Sequence, residues 1–247
     1  MKKIILLFIT SLTILAMITC QNKMATITRQ NKPSMDNTLT ADEIKEGWKL
    51  LFDGQTMNGW RPYLHNTTAT WVIENGTLKG LGKGSDSTGY IITEDQFENF
   101  ELKMEWKIAP QGNSGILYMV VEDPAYDTPY QTGPEYQVID DLGWAGPLEE
   151  WQKTAANYAM HVAQNKQLKP VGEWNTAAII VNKGHVEHWL NGIKIVEYEL
   201  WTDEWKALVA AGKWKDYPAY GLAKKGHLVL QDHGSEVWYK NIRIREL

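Results

Sequence analysis

The chain has 247 residues, enough for one large domain, and its formal net charge of −5 comes with no basic stripe, which argues against a nucleic-acid partner. That balance includes Lys2 and Lys3; without them it is −7. Twelve Trp stand against four Phe, and Trp offers a large flat face with one N–H donor, a match for sugar rings as well as for a sheet core.

The first twenty residues have the form of an export signal. Lys2 and Lys3 give a positive end, and Ile4 to Ile18 is an apolar run too short for a comfortable bilayer span. The sole cysteine, Cys20, follows at once. A lone Cys in this place reads as the lipid acceptor of a bacterial lipoprotein; the plain alternative is a secretory signal with a cysteine nearby. The expectation is an exported protein anchored in the cell envelope through Cys20, facing the periplasm or the cell surface, with membrane contact through the lipid only. Residues 21–40 are polar and aperiodic and read as a flexible tether. Residues 41–247 then form a single domain.

Thr40-Ala41-Asp42-Glu43 has the spacing of a capping box, which predicts a short helix over 41–46, with the packed fold starting near Gly47. Short strands are expected at Trp71 to Ile73, Thr77 to Gly80 and Tyr90 to Ile92. Phe100 to Ile108 alternates apolar and charged residues without an error and reads as a half-buried strand. Ser114 to Val121 is apolar on both faces and reads as a central strand. Tyr136 to Ile139 and Ala177 to Val181 are further candidates, separated by a non-alternating excursion over 141–172 that is expected to cover one mouth of the fold. His185 to Glu199 holds two runs around Asn191-Gly192, a hairpin signal because both central residues of a type I′ turn need positive φ. Residues 202–213 carry a Thr cap and early acids and read as one surface helix. His227 to Gln231 and Val237 to Ile244 look like an antiparallel pair joined through Asp232-His233-Gly234-Ser235. So many strands without crossover helices predict an all-β, two-sheet antiparallel jelly-roll sandwich with one or two short surface helices.

Polar groups gather in three places. With Tyr136 and Val138 facing the core, Glu135 and Gln137 face outward together, and Asp140 would join them only if a bulge follows Gln137. The spacing is similar to the paired-carboxylate strand of jelly-roll β-glucanases, but an amide and a shorter acid replace two of their three acids. Gln231, Asp232 and His233 form the second cluster; Leu228 and Leu230 point inward, so Gln231 and His233 face out. His161, His185 and His188 form the third, His188 sharing a face with Val186 and Leu190 as a core histidine would. An exposed polar strand face and a solvated turn histidine are the bland readings of the first two. A divalent-cation site is conceivable from Glu135, Asp140, His161 and His233, but no short metal-ligand spacing is present, and no G-x-S-x-G elbow, P-loop or dinucleotide fingerprint appears.

Several strings in order resemble one family. They are Gly47 to Gly54 (GWKLLFDG), Gly59-Trp60-Arg61, Asn113-Ser114-Gly115-Ile116, Glu135 to Asp140 (EYQVID), Glu173-Trp174-Asn175, His188 to Gly192 (HWLNG), Leu230 to Gly234 (LQDHG) and Lys240 to Ile244 (KNIRI). Together they are similar to the 3-keto-disaccharide hydrolase domain family over residues 40–247. Lys240 stands where many members carry Arg, and Asn157 to His161 is divergent. The resemblance implies a concanavalin-like jelly roll that cleaves glycosides oxidised to a ketone at C3. On that reading His161 or His233 is the base at C2, and Glu135 and Asp140 assist the leaving group or hold a cation. Asn113, Gln137 and Gln231 bind hydroxyls or the ketone, and Lys107 stabilises charge. A non-catalytic carbohydrate-binding lipoprotein and a conventional endo-glycosidase are the competing expectations. All of them need Glu135 and Gln231 to share one polar trough beneath the 141–172 excursion.

Overall fold

A computed structural model of the chain describes residues 35–65, 70–85 and 88–247. The expected export signal, Cys20 and most of the tether lie outside the described residues. No helix among those described is long and apolar enough to cross a membrane.

The first ordered element follows from its cap. Thr40 accepts from the Glu43 backbone and Glu43 reaches back to the Thr40 backbone, closing a capping box at the start of helix α1 (Ala41–Lys45). The segment before it is docked rather than free. Asn37 is buried, its amide N–H donating to Asn241 Oδ1 and its Oδ1 accepting from the Asn241 amide at 2.9 Å.

Thirteen strands follow among the described residues. They are β1 (Lys49–Leu50), β2 (Trp60–Pro62), β3 (Trp71–Glu74), β4 (Thr77–Leu81), β5 (Tyr90–Thr93), β6 (Phe100–Ile108) and β7 (Asn113–Val120), then β8 (Glu135–Ile139), β9 (Asn175–Asn182), β10 (His185–Leu190), β11 (Ile193–Glu199), β12 (His227–Gln231) and β13 (Glu236–Glu246). They form two antiparallel sheets, the sandwich of jelly-roll type that the alternation predicts. The large sheet runs β11-β10-β9-β6-β13-β4-β3, with β1 also on β13; the small sheet runs β2-β5-β12-β7-β8. In β6, Leu102, Met104 and Trp106 enter the core between the layers, so Lys103, Glu105 and Lys107 face out from the large sheet. Ile116, Tyr118, Tyr136, Val138, Leu228 and Leu230 close the core from the small sheet. Asn191 and Gly192 both take positive φ and turn β10 into β11, as the hairpin signal requires. Six of the twelve Trp are buried (Trp48, Trp60, Trp71, Trp106, Trp205 and Trp214).

The expected pairing of the last two strands is overturned. β12 pairs with β5 and β7 in the small sheet, whereas β13 pairs with β4 and β6 in the large one. The link between them therefore changes layers. The chain crosses at Asp232, whose carbonyl passes so close to Gly84 and Gly89 that a Cβ on either would lie 1.9 Å from it. The Asp232 carboxylate accepts from the amides of Lys83 and Gly234, and burial pushes its pKa up against those bonds. A four-residue link that looks like a hairpin loop is a bridge between sheets.

Helix α2 (Asp203–Ala211) starts on its Thr202 cap and is followed by a 3-10 turn, Lys213–Asp216. It lies on the surface as expected, with Trp205 alone buried and anchoring it to the core.

Candidate active site

The small sheet's outer face carries the polar groups that the sequence singled out. The register sets Gly115 beside Gln137 and Leu117 beside Glu135, with Gln231 on the next strand over. Outward positions of β7, β8 and β12 thus form one floor. Gly115 is required there: a Cβ would lie 1.9 Å from Glu135 Oε1, so the missing side chain is the space in which the carboxylate lies. Gln231 donates to the Tyr90 hydroxyl at 3.1 Å, and Gln137 Oε1 accepts from the Val138 amide. Glu135, Gln137 and Gln231 are all buried, an arrangement that costs stability unless each polar atom is satisfied or serves a ligand. The Asn113 Oδ1 atom, buried at the pocket wall, has no hydrogen-bond partner.

The walls come from irregular chain. The excursion after β8 lies along that strand's open edge through backbone bonds from Ala155 to Gln137, Gln137 to Ala156 and Tyr158 to Glu135. These hold Tyr158 over the floor. The 3-10 turn after α2 adds Lys213 and Trp214, with the Trp214 indole donating to the Tyr158 carbonyl at 3.2 Å. Tyr130 completes the wall from the turn Pro129–Gln131. The result is a pocket of about 200 Å³ lined by Asn113, Glu135, Gln137, Gln231 and His233 below, and by Tyr130, Tyr158, Lys213 and Trp214 around. The Lys213 ammonium lies 4.5 Å from the Tyr158 ring centroid and 4.7 Å from that of Trp214. Burial raises the pKa of the Tyr239 hydroxyl, against its hydrogen bond with Ser114.

Trp214 is also the head of a column of parallel rings. Tyr220 stacks on it at 4.2 Å, Trp205 on Tyr220 at 5.8 Å, Tyr198 on Trp205 at 5.4 Å and His161 on Tyr198 at 4.5 Å. The ring planes of each pair lie within 11° of parallel, a stacked arrangement.

Three expected site residues lie elsewhere. His161 closes the far end of the column, where burial holds its pKa down to about 4, and it lines no part of the pocket. Asp140 keeps the parity of Tyr136 and Val138, because β7 and β8 pair from Leu117 with Glu135 to Asn113 with Ile139 without a bulge. Its carboxylate accepts from the amides of Gln111, Leu142 and Gly143 and shapes the turn after β8. Lys107 is on the outer face of the other sheet. A cation centre built from Glu135, Asp140, His161 and His233 is therefore not assembled. The one His and carboxylate cluster with metal-like spacing among the described residues is His185, Glu187 and Glu197 on the hairpin, and Lys194 pairs with both of its acids. His188 is fully buried between the Tyr118 hydroxyl and the Ala155 carbonyl, as its core position predicts.

Residues 47–245 match the profile of the 3-keto-alpha-glucoside-1,2-lyase-like domain. A protein of Bacteroides thetaiotaomicron named 3-keto-disaccharide hydrolase is 37% identical over 229 residues, covering 82% of this chain and 79% of that protein. The crystal structure of a putative glycosyl hydrolase from Parabacteroides distasonis is 43% identical, with a TM-score of 0.82 over 86% of this chain and 100% of that one. A carbohydrate binding module from Bacillus subtilis, 10% identical with a TM-score of 0.51, covers 76% of this chain and 96% of its own and shares the fold alone.

Proposed function

The chain belongs to the family of 3-keto-alpha-glucoside-1,2-lyase-like domains, and from that premise we propose that it is a carbohydrate-active enzyme cleaving glycosides oxidised to a ketone at C3. The observation that carries this reading is the convergence of Asn113, Glu135, Gln137, Gln231 and His233 on one pocket of about 200 Å³ with Lys213 at its wall.

The C3 ketone acidifies the proton on C2. A base removes that proton and the electron pair moves onto the ketone oxygen as an enolate. The enolate then collapses and expels the C1 oxygen, which takes a proton and leaves as an alcohol; water adding to the resulting enone makes the net reaction a hydrolysis. His233 is the base at C2 and Glu135 delivers the proton to the leaving oxygen. Lys213 takes the place sought for Lys107, placing a cation where the enolate charge develops. Asn113, Gln137 and Gln231 hold hydroxyls, with the unpartnered Asn113 Oδ1 ready to accept one. Tyr130 and Tyr158, the half-buried rings of the wall, supply ring faces for the sugar, with Trp214 packed behind them.

A β-glucanase mechanism is disfavoured. It needs a second carboxyl about 5–10 Å from the first across the scissile bond. Asp140, the expected partner of Glu135, is spent on three backbone amides.

The test is turnover of a 3-keto-glucoside, followed by aglycone release and enone absorbance. Glu135→Gln and His233→Ala should each lower it by about 10²–10⁴-fold, the usual worth of a proton-transfer group. Full activity in both variants, or tight binding of an unoxidised oligosaccharide with no turnover of its keto form, overturns the proposal. Export with a lipid on Cys20 is the accompanying proposal, supported by the Lys2 to Cys20 pattern. Labelled palmitate should enter the wild-type chain and be absent from Cys20→Ser; equal labelling of both would refute the anchor.

A further inference from the structure

The small sheet's outer face is divided between apolar and polar halves. Tyr63, Tyr90, Ile92, Leu117, Val120 and Val229 form a buried apolar cluster separate from the main core. Val229 and Gln231 share a face of β12, so this cluster and the pocket are neighbours on one surface. Tyr90 stands on the border. Its ring meets that of Tyr63 edge-on at 6.5 Å, within the apolar half. It is in register with Gln231, and its hydroxyl accepts from Gln231 Nε2 at 3.1 Å, at the edge of the polar half. A tyrosine suits such a border, because its apolar ring carries a polar tip.

One end of each glutamine of the floor is thereby occupied. Gln231 has its nitrogen on Tyr90, and among the described residues no donor reaches its Oε1, so the oxygen is the end left for a ligand. Gln137 is fixed the other way round. Its Oε1 accepts from the Val138 N–H, a group that can only donate, which leaves its NH2 for the pocket. Gln137 is paired with Gly115, and Leu230 with Ile116, which brings Gln231 opposite Gly115 from the other side. An acceptor and a donor therefore flank the space over Gly115 in which the Glu135 carboxylate lies.

We propose that Tyr90 is a positioning residue: its hydroxyl holds the Gln231 amide with the oxygen towards the pocket, and that oxygen takes a sugar hydroxyl as its donor. A ketone has no proton to offer, so this position admits an unoxidised carbon of the ring and steers the C3 ketone away from Gln231. Without the Tyr90 hydroxyl the amide turns between its two ends and presents the wrong one part of the time. The kinetic consequence rests on cleavage of 3-keto-glycosides; the hydrogen bond itself does not.

A double-mutant cycle on the full-length chain, with a 3-keto-glucoside as substrate, tests the role. Tyr90→Phe should lower kcat/KM by about five- to tenfold, the value of one buried hydrogen bond. The loss should fall on KM, with kcat within about twofold, because a held hydroxyl is bound alike in the ground and transition states. In the Gln231→Met background, where no amide is left to hold, the same change should alter kcat/KM by less than about twofold. Equal losses in the two backgrounds, or a loss in kcat alone, would make Tyr90 a packing residue and overturn the proposal. The hydrogen bond is also read without turnover. With nitrogen-15 glutamine labelling, the Gln231 side-chain NH2 signals are identified by their absence from Gln231→Met. In Tyr90→Phe they should shift more than those of any other glutamine; unmoved signals overturn the proposal. A wild-type chain that leaves the 3-keto-glucoside intact refutes the functional reading, and the NH2 signals then decide the role of Tyr90 alone.

Discussion

The outer face of the small sheet is roofed, and that of the large sheet is open, and their strands are built accordingly. Along β8 and β12 every residue is buried, although Glu135, Gln137, His227 and Gln231 are among them. Along β6 the exposure alternates from Lys103 onward, with Glu105 and Lys107 half-buried between core residues. Polar groups on the open face exchange partners with water, so their ion pairs contribute little. Polar groups under a roof lose water altogether and persist only with designed partners or a ligand to meet. The same residue types therefore mean solubility on one layer and chemistry on the other.

The sharpest way to break this contrast is Gly115→Ala. The added methyl meets only the end of a flexible side chain, so the fold should survive while Glu135 is displaced. Turnover should fall by about 100-fold or more, as for loss of a proton-transfer group, with an unchanged melting curve. Undiminished turnover would mean that the carboxylate's position does not matter. Next in size is Trp205→Ala, which removes the middle ring of the column behind Trp214 and should cost about 3–5 kcal/mol in chemical denaturation. A loss below 1 kcal/mol would show that the column is not part of the core.

The pH dependence is the third. Burial holds His161 at about 4 and His188 at about 3, against an ordinary value of 6.5. Below pH 6.5 the unfolded chain takes up protons that the folded chain refuses, so stability is full above that pH and falls as the pH drops towards 4 and below. His161→Gln should make the melting temperature fall less steeply over that range; an unaltered slope would rule His161 out as a source. The smallest effect belongs to the open face. Lys107→Gln should cost about 1 kcal/mol or less, the value of partly exposed cation–π contacts, and a larger loss would show that this face is as tightly built as the other.

Local chemistry made much of the fold legible. The Thr40 to Glu43 box, the alternation of Phe100 to Ile108 and the Asn191-Gly192 turn each depend on neighbours in sequence, and each appears as the spacing predicts. The layer change at Asp232 was hidden because it depends on Gly84 and Gly89, far away in the chain. The site divides in the same way. Glu135, Gln137, Gln231 and His233 follow from strand parity, which the sequence displays, and Asn113 from the family resemblance. Tyr130, Tyr158, Lys213 and Trp214 sit on irregular segments whose position only the tertiary packing decides. One signal was present: Trp205, Trp214, Tyr217 and Tyr220 crowd into sixteen residues, more aromatic surface than a solvent-lying helix can bury. Asp140 joins the trough only with a bulge after Gln137, and the register contains none.

The ring column carries an optical consequence. Trp214 walls the pocket and stacks at 4.2 Å on Tyr220, itself stacked on Trp205, so two indole chromophores are coupled through one fixed, nearly parallel tyrosine. Such an asymmetric, rigid array gives a strong near-ultraviolet circular dichroism band, and the emission of the buried Trp214 is sensitive to the charge and polarity of the pocket behind which it is held. Occupancy of the pocket can then be followed by the protein's own fluorescence, with no label and without turnover.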